Sequence, residues 1–213
     1  MEKPIFQRPG IESYDLDTPA LLVDVDKLES NIKTFSGLAE AKNLRLVPHL
    51  SIHGSLDILK SQLQNSNTCR SICCDSISEA DNLSNLDLNE IIIKSTPISK
   101  NQLQKMWALN ETIPIHVVIR DTYYLKLIQE NQIVAPQKVG VIIQLPTVLE
   151  SNPQDTITEL LQMITECNNS SNIDFKGLLI DCDNPDVLEA YIAIVRIIKT
   201  DWPRSKAYLL GES

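Results

Sequence analysis

Short runs rich in β-branched residues alternate with amphipathic stretches along this chain, and that alternation restricts the folds open to it. The runs are Ala20–Asp24, Arg45–Leu50, Ser71–Cys74, Glu90–Ser95, Ile115–Arg120, Val139–Leu145, Gly177–Cys182 and Lys206–Leu210. Between them lie Asp26–Ala41, Ser99–Leu109, Thr122–Gln132, Thr156–Cys167 and Pro185–Lys199. In the first of these, Leu28, Ile32, Phe35, Leu38 and Ala39 recur at three- and four-residue spacing, the period of a helix with one apolar face. Asp26, with Glu29 three residues on, suits its N-cap, and Pro185 suits the first turn of the last helix, capped by Asp183 or Asn184. Strands alternating with helices of this length predict βαβ units and a parallel sheet. Ile91-Ile92-Ile93 and Val139–Ile143 are apolar throughout, as strands covered on both faces must be. The expectation is therefore an α/β fold of the (β/α)8, TIM-barrel-like kind. Such barrels typically need about 250 residues, more than the 213 present.

Composition narrows the function classes. A formal charge of −9 argues against a nucleic-acid surface and against binding anionic membranes. No apolar run approaches membrane-spanning length, so the chain reads as soluble and, with no secretory signal at its start, as cytoplasmic. The cysteines are Cys69, Cys73, Cys74, Cys167 and Cys182, an odd number with no Cys-x-x-Cys spacing. That disfavours a disulfide scaffold or a structural zinc site, and reduced buried thiols are expected. No Gly-x-Gly-x-x-Gly or Walker loop occurs, so nothing supports nucleotide binding. Trp107 and Trp202 are expected to pack helices against the barrel.

Two segments carry a resemblance. Asp17-Thr18-Pro19-Ala20-Leu21-Leu22-Val23-Asp24 is followed by Leu28 and Asn31-Ile32, and further on stands Val47-Pro48-His49-Leu50-Ser51-Ile52-His53-Gly54. Together they resemble the start of the D-threonine aldolase and D-serine dehydratase family. These are pyridoxal-phosphate enzymes with a barrel of the alanine racemase N-terminal domain type. Asp75-Ser76-Ile77-Ser78-Glu79-Ala80 and Glu90-Ile91-Ile92-Ile93 extend the resemblance. It implies a barrel that begins at Arg45–Leu50, incomplete here and without the C-terminal β-domain. Residues 1–19 would form an N-terminal arm, and 20–213 a single barrel-like domain.

The family writes the second segment as Arg-Pro-His-x-Lys-Thr-His-Lys, and its first lysine forms an imine with the cofactor. Here that lysine falls on Ser51, the arginine on Val47 and the last lysine on Gly54. A hydroxyl cannot form an imine with an aldehyde, so covalent attachment of pyridoxal phosphate is not expected at Ser51. The resemblance implies a cofactor-binding cluster of His49, Ser51 and His53, with Gly211 and Ser213 near the phosphate turn. Lys94, close to the end of its strand, is the best substitute amine, since Lys138, Lys176 and Lys206 stand before or at the start of their strands and would face the opposite end of the barrel. His49 and His53 lack a third ligand, so no metal site is expected. Ser51 as a nucleophile would need an oriented base and an oxyanion site, and no Gly-x-Ser-x-Gly elbow appears. The reading leans away from catalysis, towards a degenerate homologue. The alternatives are a residual lyase acting on D-amino acids, or an interaction or regulatory subunit. The partner implied is a second copy or a full-length relative.

Overall fold

The computed structural model describes residues 10–65, 70–131, 137–146, 153–181 and 185–209. The chain divides into two compact units, Met1–Leu44 and Arg45–Ser213.

The described part of the first unit is built around helix α1 (Val25–Ala41), whose N-cap is Asp24: its side chain accepts from the Lys27 backbone N–H. The sequence placed this cap at Asp26, two residues too late. The helix closes where the Leu44 N–H returns to the Ala39 carbonyl and Asn43 takes a positive φ of 54°. The run Ala20–Asp24, expected as a strand, is irregular. It has no strand partner among the described residues, and an extended segment without a ladder is not a strand.

The second unit is a sheet of six parallel strands in sequential order: β1 (Ser71–Cys74), β2 (Glu90–Ile93), β3 (Ile115–Ile119), β4 (Val139–Gln144), β5 (Ile173–Ile180) and β6 (Lys206–Leu209). Helices α4 (Ile77–Leu83), α5 (Lys100–Asn110), α6 (Thr122–Glu130), α7 (Pro153–Asn169) and α8 (Pro185–Asp201) join successive strands. Two more precede β1, α2 (Leu50–His53) and α3 (Leu56–Asn65), neither expected from the sequence. Capping explains several starts. Ser99 and Gln102 form a reciprocal capping box on α5, and Asp121 accepts from the N–H groups of Tyr123 and Tyr124 on α6. Asp183 and Asn184 lie outside the described residues.

The run Arg45–Leu50 is reduced to one bridge, in which His49 lies parallel to Cys73 and the Cys73 N–H meets the Pro48 carbonyl at 2.8 Å. Pro48 brings no N–H of its own, and from Leu50 the backbone turns into α2, so the ladder stops after one rung. Strand β5 begins at Ile173, four residues earlier than expected, so Lys176 stands inside the strand. It is the extra residue of a bulge: Val141 pairs with Phe175 and Ile142 with Gly177.

The sheet is strongly curled. β2 and β6 have three strands between them, which in a flat sheet would hold them about 19 Å apart. Lys206 on β6 nevertheless meets Glu90 on β2 at 3.3 Å. The convex face carries the main core. There Ile72, Ile91, Ile93, Ile115, Val117, Ile119, Val141, Ile143 and Leu178 pack against helices that bring Leu83, Leu103, Met106, Trp107, Leu125, Ile164 and Tyr191. Trp202 packs partly buried against the same cluster. No helix among the described residues is long and apolar enough to cross a membrane.

Candidate functional site

The concave face is built in three layers, and the two-residue period of a strand derives them. Cys73, Ile92, Val118, Ile142 and Leu179 form a small apolar cluster, with Val47 and Tyr208 packed against it. Two residues earlier on the same strands stand Ser71, Glu90, His116, Gly140, Gly177 and Lys206. Two residues later stand His49, Asp75, Lys94, Arg120, Gln144 and Asp181. The first set forms a polar floor at the amino ends of the strands, the second a charged mouth at their carboxyl ends. In barrels of this kind the carboxyl ends carry the chemistry.

The floor is a partly buried polar knot, with Ser71 and His116 buried and Lys206 exposed at its edge. Glu90 accepts from the Ser71 hydroxyl at 2.9 Å and pairs with Lys206, and its Oε2 lies 3.6 Å from Nδ1 of His116. Burial works against the Glu90 carboxylate. His116 when it is protonated, the Ser71 hydroxyl and Lys206 outweigh that, and hold it below the usual carboxylate range. Burial is the main cause that lowers His116 from 6.5 to about 4, so its imidazole is neutral at physiological pH. Gly140 makes room for that ring: a Cβ there would fall 2.2 Å from His116 Cδ2.

The mouth holds two hydrogen-bonded groups. His49 Nε2 lies 3.0 Å from Asp75 Oδ1. Across the opening, Arg120 Nε donates to the Gln144 side-chain oxygen at 3.1 Å, and the Gln144 amide donates to Asp181 at 3.3 Å. Lys94 Nζ stands 3.8 Å from the same Asp181 oxygen. β2 and β5 would lie about 14 Å apart in a flat sheet, so this contact, too, is a product of the curl. Beneath the mouth, the Cys73 thiol is pushed up to about 12, first by burial and then by Asp75. Cys74 and Cys167 are likewise buried free thiols raised to about 12. None of the three is a nucleophile at neutral pH. Cys69 and Cys182 lie outside the described residues.

The residues singled out in the sequence go to separate partners. Ser51, in α2, donates its hydroxyl to Glu79 Oε2 at 2.9 Å, and the Asp75 N–H reaches both Ser51 Oγ (3.1 Å) and Glu79 Oε2 (2.9 Å). Glu79 sits in the first turn of α4, where its own N–H is capped by Ser76. Ser51 thus ties α2 to the start of α4. His53 accepts from the Ser55 N–H through Nδ1, so its Nε2 carries the proton and donates to Gln62 at 3.2 Å, fastening α2 to α3. Gly211 and Ser213 lie outside the described residues. Among the described residues no group of three or more His, Cys, Asp or Glu side chains is placed to hold a metal ion.

An aldehyde cofactor held through an imine does not fit position 51. Its side chain is a hydroxyl, already committed to a carboxylate. The sequence points to His49 and Lys94 but not to Asp75, Arg120, Gln144 or Asp181 as site residues. A signal was present. Five of the six mouth residues, all but His49, are the first polar residues after the apolar runs of β1 to β5.

No family model matches the chain. The curled parallel sheet defines the class of fold as the barrel of the alanine racemase N-terminal domain, in the part that the chain spans. Alanine racemase from E. faecalis superposes with a TM-score of 0.62 at 13% identity, over 88% of this chain and 52% of that one. D-threonine aldolase from Filomicrobium marinum superposes with a TM-score of 0.69 at 21% identity, over 86% of this chain and 51% of that one. By sequence the chain is similar to 3-hydroxy-D-aspartate aldolase of Paracoccus denitrificans, 20% identical over 171 residues, which are 80% of this chain and 44% of that protein. It is also similar to D-threonine aldolase of Arthrobacter sp, 24% identical over 137 residues, 64% of this chain and 36% of that one. Its homologues are thus D-threonine aldolase and 3-hydroxy-D-aspartate aldolase, and it spans about half their length or less.

Proposed function

We propose that this chain is a degenerate, non-catalytic homologue of the pyridoxal-phosphate-dependent D-amino-acid lyases. The observation that carries the reading is Ser51. It stands where the family has its imine-forming lysine, and its hydroxyl is given to Glu79. Pyridoxal phosphate supplies an electron sink to such lyases when it is joined to a lysine. Without an amine at this point the chain's own residues offer the aldehyde only hydrogen bonds there. The neighbouring His49 is engaged by Asp75, and His53 by Gln62.

One observation favours a second reading, a residual lyase. Lys94 is an amine in the mouth layer, on the same side of the sheet as His49, with Asp181 near it at 3.8 Å. A single experiment separates the two. The purified chain is mixed with pyridoxal phosphate, reduced with borohydride and mapped by mass spectrometry, while D-threonine and 3-hydroxy-D-aspartate are offered as substrates. The expected result is no stoichiometric adduct and no turnover. An adduct on Lys94 together with cleavage of either substrate would overturn the first reading in favour of the second.

A further inference from the structure

Among the described residues, the donor side of the mouth is not used up by the chain's own acceptors, and its geometry is set by a buried amide. Gln144 is 6% exposed and spends both ends of its amide, the oxygen on Arg120 Nε and the nitrogen on Asp181. A guanidinium gripped at Nε is held in one plane, with the Nη pair on its far side. Among the described residues those Nη groups make no hydrogen bond or ion pair, and Arg120 itself is exposed. Lys94, whose side chain is 29% exposed, forms an ion pair with Asp181 at 3.8 Å, beyond hydrogen-bonding length, so its N–H donors are not spent on that carboxylate. Among the described residues, Asp181 is the one carboxylate in direct contact with this group; Asp75, the other in the layer, is taken by His49. The βα connections bring the positive ends of α5 and α6 to the same side of the sheet, which favours an anion further.

We infer that the mouth of the half-barrel binds a small oxyanion, a carboxylate or a phosphate, without covalent attachment, through the Nη edge of Arg120 and the ammonium of Lys94. Gln144 is the positioning residue: it touches no ligand and fixes the plane of the guanidinium. The chemistry is that of the charge-assisted fork, in which two parallel N–H donors meet two oxygens of one anion. This site does not depend on Ser51 and stands whether or not the chain has lost the lyase reaction.

The test is a titration of the full ¹⁵N-labelled chain with sodium malonate and, separately, with inorganic phosphate. Ionic strength is held constant with chloride, and the Arg120 Nε–H and the amides of residues 94, 120 and 144 are followed. Saturable shifts at these groups are expected, and the anion that saturates identifies the source. Arg120→Ala is expected to weaken binding at least tenfold, Lys94→Ala at least threefold, and Lys126→Ala, on the exposed side of α6, not at all. Arg120→Lys keeps the charge and loses the fork, so it guards against a folding defect and is expected to weaken malonate as well. Gln144→Leu, which frees the guanidinium to rotate, is expected to weaken binding and to broaden the Nε–H resonance. Shifts that never saturate with either anion, or equal affinity in wild type and both alanine variants, would overturn the proposal. The borohydride experiment can fail or succeed without moving this result.

Discussion

Acidification from neutral pH should loosen the floor of the half-barrel before it touches most carboxylates. His116 is 4% exposed, with Glu90 and Lys206 facing it from β2 and β6, and Asp174 and Lys176 from β5. Its folded-state value is about 4 against 6.5 for a free imidazole, with burial as the first cause. Between those values the unfolded chain binds a proton that the folded chain refuses, so stability rises with pH across this window and is lost as pH falls through it. At about 1.36 kcal/mol per pH unit the loss reaches roughly 3 kcal/mol by the lower end, a large part of an ordinary domain's stability. Glu90 has the same sign in a lower window. Its value lies below 4.5 in the fold, so its contribution persists above 4.5 and disappears only below. Urea unfolding of wild type and His116→Asn, followed by circular dichroism at several pH values, separates the two. Wild type should lose stability steeply between pH 6.5 and 4.5, and the variant should be nearly flat there. If both decline in parallel over that range, the neutral buried imidazole is not the cause and the reasoning fails.

Other consequences follow from close contacts. Gly177→Ala would set a Cβ 1.9 Å from the backbone oxygen of Lys206. β6 must then retreat, at a cost of about 3 kcal/mol or more, and amide exchange at residues 206–209 should accelerate; unchanged protection would contradict the contact. Ser51→Ala removes a hydroxyl bound to Glu79 and to the Asp75 N–H, and should cost about 1 kcal/mol in urea unfolding. Glu79→Ala should cost more, roughly 2 kcal/mol, because it strips both Ser51 and the Asp75 N–H of their carboxylate partner. The reverse order of these two losses would show that Ser51 does not act through Glu79.

Much of the architecture is local and was therefore legible. A period of two or of 3.6 is written in neighbouring residues, and the runs at Ser71, Glu90, Ile115, Val139 and Lys206 begin strands where the pattern puts them. Even the mouth was written there, as the polar residue that ends each apolar run. That position 51 carries no amine is likewise a fact of sequence, since no fold can turn a hydroxyl into an imine former. What the sequence could not supply is which of these ends meet. Ser51 finds Glu79 28 residues away, Lys94 finds Asp181 87 positions on (181 − 94), and Lys206 reaches Glu90 across 116. Those meetings depend on curl and stagger, which are properties of six strands acting together. The same holds for the failures. Ala20–Asp24 and Arg45–Leu50 have the composition of strands, but a strand exists only where a neighbour accepts its hydrogen bonds.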